Sequence, residues 1–301
     1  MKISPVVIFC YQRFRKTKLL IESILKNNES KKTTLYIFSD GYKNTLDKYN
    51  VLRVRKYIST IKGFKKIIII QRKNNLGLST NIIFGVNYIF KIHSSAIFLE
   101  DDLVVSKYFL KFMNQALTFY AANKKIWHIS GWNYNISNKK KLSANECDAF
   151  LWRVMNCWGW GTWRDRWEFF TRNPEKIIKT WNKKKISKFN LDNHYNFFSQ
   201  IIRNYENKIN TWAVFWYATI FNHKGLCLNP NISLVKNNGF DKFSTHSAFI
   251  DTNNLGFKFH NDKNIVFPTL LTEDYLKAKS IKHALQKNFF IKLYQRLKNF
   301  F

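Results

Sequence analysis

Three of the chain's few acids stand side by side, Glu100-Asp101-Asp102, directly behind the apolar run Ala96-Ile97-Phe98-Leu99. Against 50 Lys and Arg there are only 19 Asp and Glu. Adjacent carboxylates repel one another unless something positive sits among them, and a divalent cation is the simplest candidate. A hard divalent ion can use few protein carboxylates and complete its shell with phosphate oxygens and water. Chemistry of this kind belongs to a metal-bound diphosphate.

An apolar run of four bounded by acids reads as a buried strand that delivers them to its carboxyl end. It falls within a regular alternation. Strands are expected at Pro5 to Cys10, Thr34 to Phe38, Lys66 to Ile70, Ala96 to Leu99 and Ile126 to Ile129. Helices are expected between them at Lys16 to Lys26, Leu46 to Ile61, Thr80 to Ile92 and Tyr108 to Ala122. The pattern implies an α/β fold, a mostly parallel sheet flanked by helices.

Ligands of such sheets bind beyond the carboxyl ends of the strands. Polar residues follow all five here: Tyr11-Gln12-Arg13, Ser39-Asp40-Gly41, Asn74-Asn75-Leu76-Gly77, the acidic triplet, and Ser130-Gly131-Trp132-Asn133. Arg13 suits a phosphate, Asp40 a base or ribose, and Gly77 a close backbone approach. Singly, each is as well read as a surface charge, a turn or a loop. Their joint placement at one edge favours a site.

The segment from Leu151 to Trp167 holds five of the ten tryptophans. Aromatic faces interleaved with an Arg and an Asp suit a sugar, whose C–H faces pack on rings while its hydroxyls need partners. Trp132, Trp158 and Trp160 are the candidates for acceptor contact. Trp163 and Trp167, four apart, read better as core. Gly159 and Gly161 break an apolar run where the backbone turns sharply or nears a ligand. Helices are expected again at Pro174 to Trp181, Asn193 to Tyr205 and Trp212 to Asn222, with short strands at Leu226 to Leu228 and Ile232 to Val235.

With 301 residues and 46% hydrophobic content the chain can bury a substantial core, so disorder is not the default. The formal net charge of +31 predicts attraction to polyanions. The stretch from Asn182 to Lys188 reads as part of a solvated basic surface. Cys10, Cys147, Cys157 and Cys227 show neither zinc-ligand nor disulfide spacing, which fits a reducing cytoplasm. The start reads as a first strand and not as a signal peptide, and no stretch is apolar enough to span a membrane. From Tyr275 to Phe301 there are seven Lys or Arg and no acid, with apolar residues every four positions. That is a basic amphipathic helix, suited equally to an anionic membrane surface or to docking on the domain.

In four pieces the sequence resembles the GT-A glycosyltransferases, and within them bacterial family 2-like enzymes similar to N-acetylglucosaminyltransferase I. The pieces are Pro5 to Arg13, Phe38-Ser39-Asp40-Gly41, the triplet with Phe98-Leu99 before it and Leu103 after it, and Ile129 to Asn133. They occur in the family's order, and the resemblance covers roughly Pro5 to His246. It implies a GT-A, Rossmann-like domain over residues 1–274, with a nucleotide-sugar half at 1–133 and an acceptor half at 134–274, followed by a basic helical tail at 275–301.

The resemblance also implies roles. Tyr11, Arg13, Asp40, Asn75, Asn81, Glu100 and Asp101 would bind the donor. Asp102 would be the direct ligand of Mn2+ or Mg2+, with His246 as a further ligand. An inverting transfer needs a carboxylate to take the acceptor's proton. The family's position for that base, after a tryptophan, is occupied here by Ala213, so Asp165 and Asp241 are the candidates. Asp165 follows a Trp-Gly-Trp-Gly run that resembles the acceptor-side motif of β-1,4-galactosyltransferases.

The expected activity is transfer of a sugar from a nucleotide-sugar, a UDP-sugar such as UDP-N-acetylglucosamine first. The expected acceptor is a saccharide or lipid-linked saccharide of a bacterial surface glycan, met at the cytoplasmic face of the membrane through the tail. A nucleotidyltransferase making sugar nucleotides is the alternative enzyme, but Cys10 to Arg13 lacks the glycine-rich loop that would hold a triphosphate. A nucleic-acid-binding surface is the non-enzymatic alternative; it leaves the triplet unexplained, since carboxylates repel phosphates without a metal.

Overall fold

The computed structural model describes residues 2–134, 147–239, 259–260 and 265–298. Strands and helices alternate through the first part: β1 (Val6–Cys10), α1 (Phe14–Leu25), β2 (Thr34–Ser39), α2 (Thr45–Ile58), β3 (Lys66–Gln71), α3 (Leu78–Ile92) and β4 (Ser95–Glu100). A short β5 (Leu103–Val105) follows the acids, then α4 (Phe109–Phe119) and β6 (Ile126–Ser130). Each strand and helix expected in this half is present, within a few residues at either end.

Beyond it lie β7 (Ala149–Trp152), β8 (Trp160–Trp163), α5 (Arg164–Trp167), α6 (Pro174–Thr180), α7 (Lys183–Phe189), α8 (Phe198–Tyr205) and α9 (Ala213–Asn222). The described chain closes with β9 (Leu226–Pro230), β10 (Val235–Asn237) and α10 (Tyr275–Lys298). The polar stretch from Asn182 to Lys188 turns out to be mostly the helix α7, capped by the Asn182 side chain, which accepts from the Lys185 amide. The helix expected from Asn193 begins only at Phe198, because Leu191, Asp192 and Asn193 all have positive φ and form a turn. The strand expected at Ile232 to Val235 is shifted to Val235–Asn237 and joins β5 instead of the main sheet.

Eight strands form one sheet in the order β3-β2-β1-β4-β8-β6-β9-β7. The first four are parallel, and β8 enters antiparallel between β4 and β6. β9 runs parallel to β6, and β7 closes the far edge antiparallel to β9. The run β3-β2-β1-β4 is the Rossmann half, whose crossovers bury both sheet faces and make its strands continuously apolar. Side chains alternate between two cores. Val6, Ile8, Ile97 and Leu99 meet α1, α2 and α4 on one face, while Val7, Phe9 and Phe98 meet α3 and the tryptophan-rich helices on the other.

Trp160 lies in that second core, stacked between Phe98 and Trp212 at ring-centroid distances of 4.5 and 5.0 Å. The first turns of α10 dock there too, burying Ala278, Ile281 and Leu285. No described helix is long and apolar enough to cross a membrane.

Candidate functional site

β1 and β4 lie side by side, with Phe9 opposite Glu100. The segments leaving their carboxyl ends therefore emerge together. The Tyr11 amide donates to Asp101 Oδ2 at 3.2 Å, and Arg13 Nη1 reaches Asp102 Oδ2 at 3.0 Å. The Tyr11 hydroxyl is committed elsewhere, donating to Asp47 Oδ2 at 2.6 Å. Period-two alternation sends Glu100 to the same face as Phe98.

A third segment closes over the acids. β10 pairs antiparallel with β5, so the Asn238 amide donates to the Asp102 carbonyl at 2.8 Å. Gly239 then lies so close that a Cβ there would strike the Asp102 carboxylate. Glycine is needed here for space.

Burial raises the pKa of Glu100, and the charges of Asp102 and Asp101 raise it further against the opposing Arg13. Asp101 is raised by burial and by Asp102, again with Arg13 opposing. Asp102 is raised by burial, with Arg13 and Lys16 opposing. Three carboxylates with destabilised charge form a place where a cation is favoured. Among the described residues no three His, Cys, Asp or Glu side chains are arranged to hold a metal by themselves. The donor chemistry fits a divalent ion that arrives with its own phosphate oxygens, and does not fit one caged by protein alone.

Asp40 is not placed as a base or ribose contact. Its carboxylate accepts from the amides of Gly41, Leu76 and Gly77 at 2.9, 2.9 and 3.0 Å and from the Asn75 side chain at 3.1 Å. It is buried and fully occupied in tying the loop after β3 to the loop after β2. Gly77, at φ +75°, has open space around it and supplies one of those amides. Asn75 also donates to the Gly41 carbonyl at 2.7 Å, and buried Asn81 accepts from Arg72 Nε at 3.3 Å.

Arg72 is the residue at this edge that sequence reasoning passed over. It directly follows β3, lies over the rings of Phe38 and Phe84, and keeps a buried Nη2 without a partner among the described residues. Burial lowers its pKa, with Asp40 opposing. The signal was its position, one residue past a strand end, as for Tyr11 and Asp40.

The tryptophans divide differently from expectation. Trp160 is core, and Trp132 is buried edge-on against Trp158 at 4.6 Å. Trp158 alone of the three stays half-buried. Gly159, at φ +65°, makes the turn into β8 against Val235, and Gly161 packs on the β4 backbone; both serve packing and not a ligand.

Asp165 is at the wrong edge for a base. Since β8 runs antiparallel to β4, with Ser95 opposite Trp163, the residues after Trp163 lie at the amino end of β4. The triplet is at the carboxyl end, a six-residue strand or about 20 Å away. There Asp165 is held by ion pairs to Lys124 and Arg166, which lower its pKa against a burial that raises it. Ala213 opens α9 behind the buried Trp212. Asp241 and His246 lie outside the described residues.

No protein-family model matches the chain, and no curated relative is found. Several solved structures are similar in chain path. TarS residues 1–349 from S. aureus shares 12% identity over 98% of this chain and 72% of that one, at a TM-score of 0.42. GalNAc-T7 with UDP, GalNAc and Mn2+ shares 10% over 75% of this chain and 42% of that one, at 0.47. The mannosyltransferase PcManGT from Pyrobaculum calidifontis, with GDP-Man and Mn2+, shares 8% over 73% and 69%, at 0.41. The chain spans a quarter of a longer solved TarS chain and about two fifths of the GalNAc-T7 chain. What the site can do follows from its own geometry.

Proposed function

We propose that the protein is a metal-dependent glycosyltransferase of GT-A type that moves a sugar from a nucleotide-sugar, a UDP-sugar first, to a saccharide acceptor of a bacterial surface glycan. One observation carries this: the buried triplet at the end of β4, faced by Arg13 from β1 and closed by Gly239.

Asp102 is the carboxylate in this reading that meets the ion, Mn2+ or Mg2+, and Arg13 is positioned to turn from Asp102 to a phosphate oxygen when the ion takes the carboxylate. The bound ion supplies neutralisation of the charge that develops on the leaving diphosphate. Glu100 and Asp101 face the ribose or sugar hydroxyls. Asp40 and Asn75 act as positioning residues that fix the 74–77 loop, and Arg72 offers its spare Nη2 to the nucleotide. Trp158 is the aromatic available to the acceptor. The proton acceptor is not Asp165; Asp241, two residues past Gly239 in the sequence, is the proposed base, and His246 the proposed additional ligand.

The test is calorimetric titration of UDP with Mn2+ and with EDTA, at moderate salt, on the wild type and on Asp102→Ala. Metal-dependent binding lost in the variant supports the reading; binding indifferent to both overturns it.

A further inference from the structure

The edge of the sheet opposite the acids is strongly basic. Each of the six parallel strands is preceded within four residues by an exposed lysine: Lys2, Lys32, Lys65, Lys91, Lys125 and Lys224 before β1, β2, β3, β4, β6 and β9. Lys31, Lys32, Lys65 and His93 line one open depression beneath β1 and β2, and Lys2 and Arg164 line another beside it. Acids stand near this edge as well: Asp165 is held by Lys124 and Arg166, Glu273 and Asp192 are held by Arg153 just past the end of β7, and Glu29 and Glu168 flank the row.

Helix dipoles explain part of the pattern. α2, α3, α4 and α9 end at this edge, and each helix C-terminus favours a nearby cation. That accounts for about one cation per helix and leaves the exposed pairs Lys31-Lys32, Lys65-Lys66 and Lys124-Lys125 over. From β3 to β9 the row crosses seven strands, or about 30 Å. Among the lysines stand large apolar side chains: Ile92 at the end of α3 and Phe119 at the end of α4 each expose 54% of their surface. Lysines around protruding aliphatic and aromatic tips fit the headgroup layer of a bilayer, where cations meet lipid phosphates and apolar tips enter the acyl boundary. A nucleic-acid backbone would offer nothing to Ile92.

We infer that the amino edge of the sheet is a docking surface for an anionic phospholipid bilayer. It is separate from the C-terminal helix, whose first turns pack one face, Ala278, Ile281 and Leu285, on the domain. The carboxyl edge then faces away from the lipid, so an acceptor must present its sugar well above the headgroups. The inference stands apart from the transfer chemistry, because none of these lysines belongs to the candidate site.

The test is co-sedimentation of the full chain with phosphatidylcholine vesicles, with and without phosphatidylglycerol, near physiological salt. Two charge-matched variants are compared, Lys32→Glu/Lys65→Glu/Lys125→Glu at the edge and Lys176→Glu/Lys183→Glu/Lys184→Glu on α6 and α7. Circular dichroism and metal-dependent UDP binding check that each is folded. Binding only to anionic vesicles, weakened at least about tenfold by the edge variant and far less by the other, is the expected result. Ile92→Ser/Phe119→Ser should also weaken vesicle binding. Equal losses in the two charge variants would reduce the effect to net charge and overturn the surface. Indifference to the apolar variant, with duplex DNA bound as tightly and lost in parallel, would assign the edge to nucleic acid instead.

Discussion

Arg13 Nη1 lies 3.0 Å from Asp102 Oδ2, the single ion pair between the loop after β1 and the acids after β4 among the described residues. It marks where positive charge is wanted. Removing the acid removes the reason for the metal: Asp102→Asn should weaken Mn2+-dependent UDP binding by about 3 kcal/mol or more, at least a hundredfold. Removing the cation splits the effect. Arg13→Gln should weaken UDP binding, yet Mn2+ alone should raise its melting temperature more than that of wild type, because the ion then replaces the lost charge. Differential scanning fluorimetry with and without Mn2+ reads this. An equal Mn2+ shift in both proteins would show that Arg13 does not occupy the ion's place.

Gly239 should tolerate no side chain. Its backbone abuts the Asp102 carboxylate, so Gly239→Ala must push aside either the segment after β10 or the acid. The expected outcome is metal-dependent UDP binding reduced at least about tenfold, with the melting temperature little changed because β10 pairs, among the described residues, with β5 alone at the rim. Unaltered binding would mean the segment closes over Asp102 without shaping the site.

Asp40 is argued from its four donors. With the carboxylate gone, the amides of Leu76 and Gly77 and the Asn75 side chain lose their acceptor at a half-buried loop. Asp40→Ala should cost about 1–3 kcal/mol by urea denaturation, with faster hydrogen exchange at 75–77. A variant as stable as wild type that still loses nucleotide would restore the ligand role the sequence suggested.

These cases show what was legible. A run such as Ala96 to Leu99 followed by acids fixes a strand and the edge it points to, because burial and period-two alternation are local properties. The same reasoning found the first five of the six parallel strands and their end-loops. It could not find β8, whose Trp160 to Trp163 run slots antiparallel between β4 and β6, since an inserted strand is defined by partners far off in sequence. That insertion buries Trp160 and carries Asp165 to the opposite edge. Asp40 stands at the expected edge, with loop amides on its carboxylate, and these were not legible because a carboxylate facing a ligand and one facing loop amides have the same sequence. Gly239 was invisible for a similar reason: its neighbour, Asp102, is 137 positions away by the numbering.

The displaced candidates give a paired prediction. Asp165→Asn weakens the ion pairs to Lys124 and to the buried Arg166 at the edge away from the triplet, and should leave transfer and UDP binding near wild type. Trp160→Ala opens a cavity among Phe98, Trp167 and Trp212 and should cost about 3–5 kcal/mol of stability. Loss of transfer in folded Asp165→Asn would return that acid to the mechanism.

His128 supplies the pH dependence. It is wholly buried, with Nε2 donating to the Asn156 carbonyl at 3.0 Å and Nδ1 accepting from Trp216 Nε1 at 3.2 Å. Both nitrogens are satisfied only in the neutral ring; a proton on Nδ1 would confront the indole N–H. Burial pushes its pKa down to about 3, against the Asn156 bond, from an ordinary 6.5. Because the folded value is depressed, the unfolded chain binds the extra proton between those limits. The stability His128 lends is complete above pH 6.5 and drains away as pH falls toward 3, by up to about 1.4 kcal/mol per pH unit. Urea unfolding of wild type and His128→Gln at pH 7, 5.5 and 4.5 should show the wild type losing more stability on acidification, by close to one proton. The variant should be less stable at pH 7 and close the gap as pH falls. Parallel slopes in the two proteins would mean that His128 is protonated in the fold, and its bond with Trp216 would have to be redrawn.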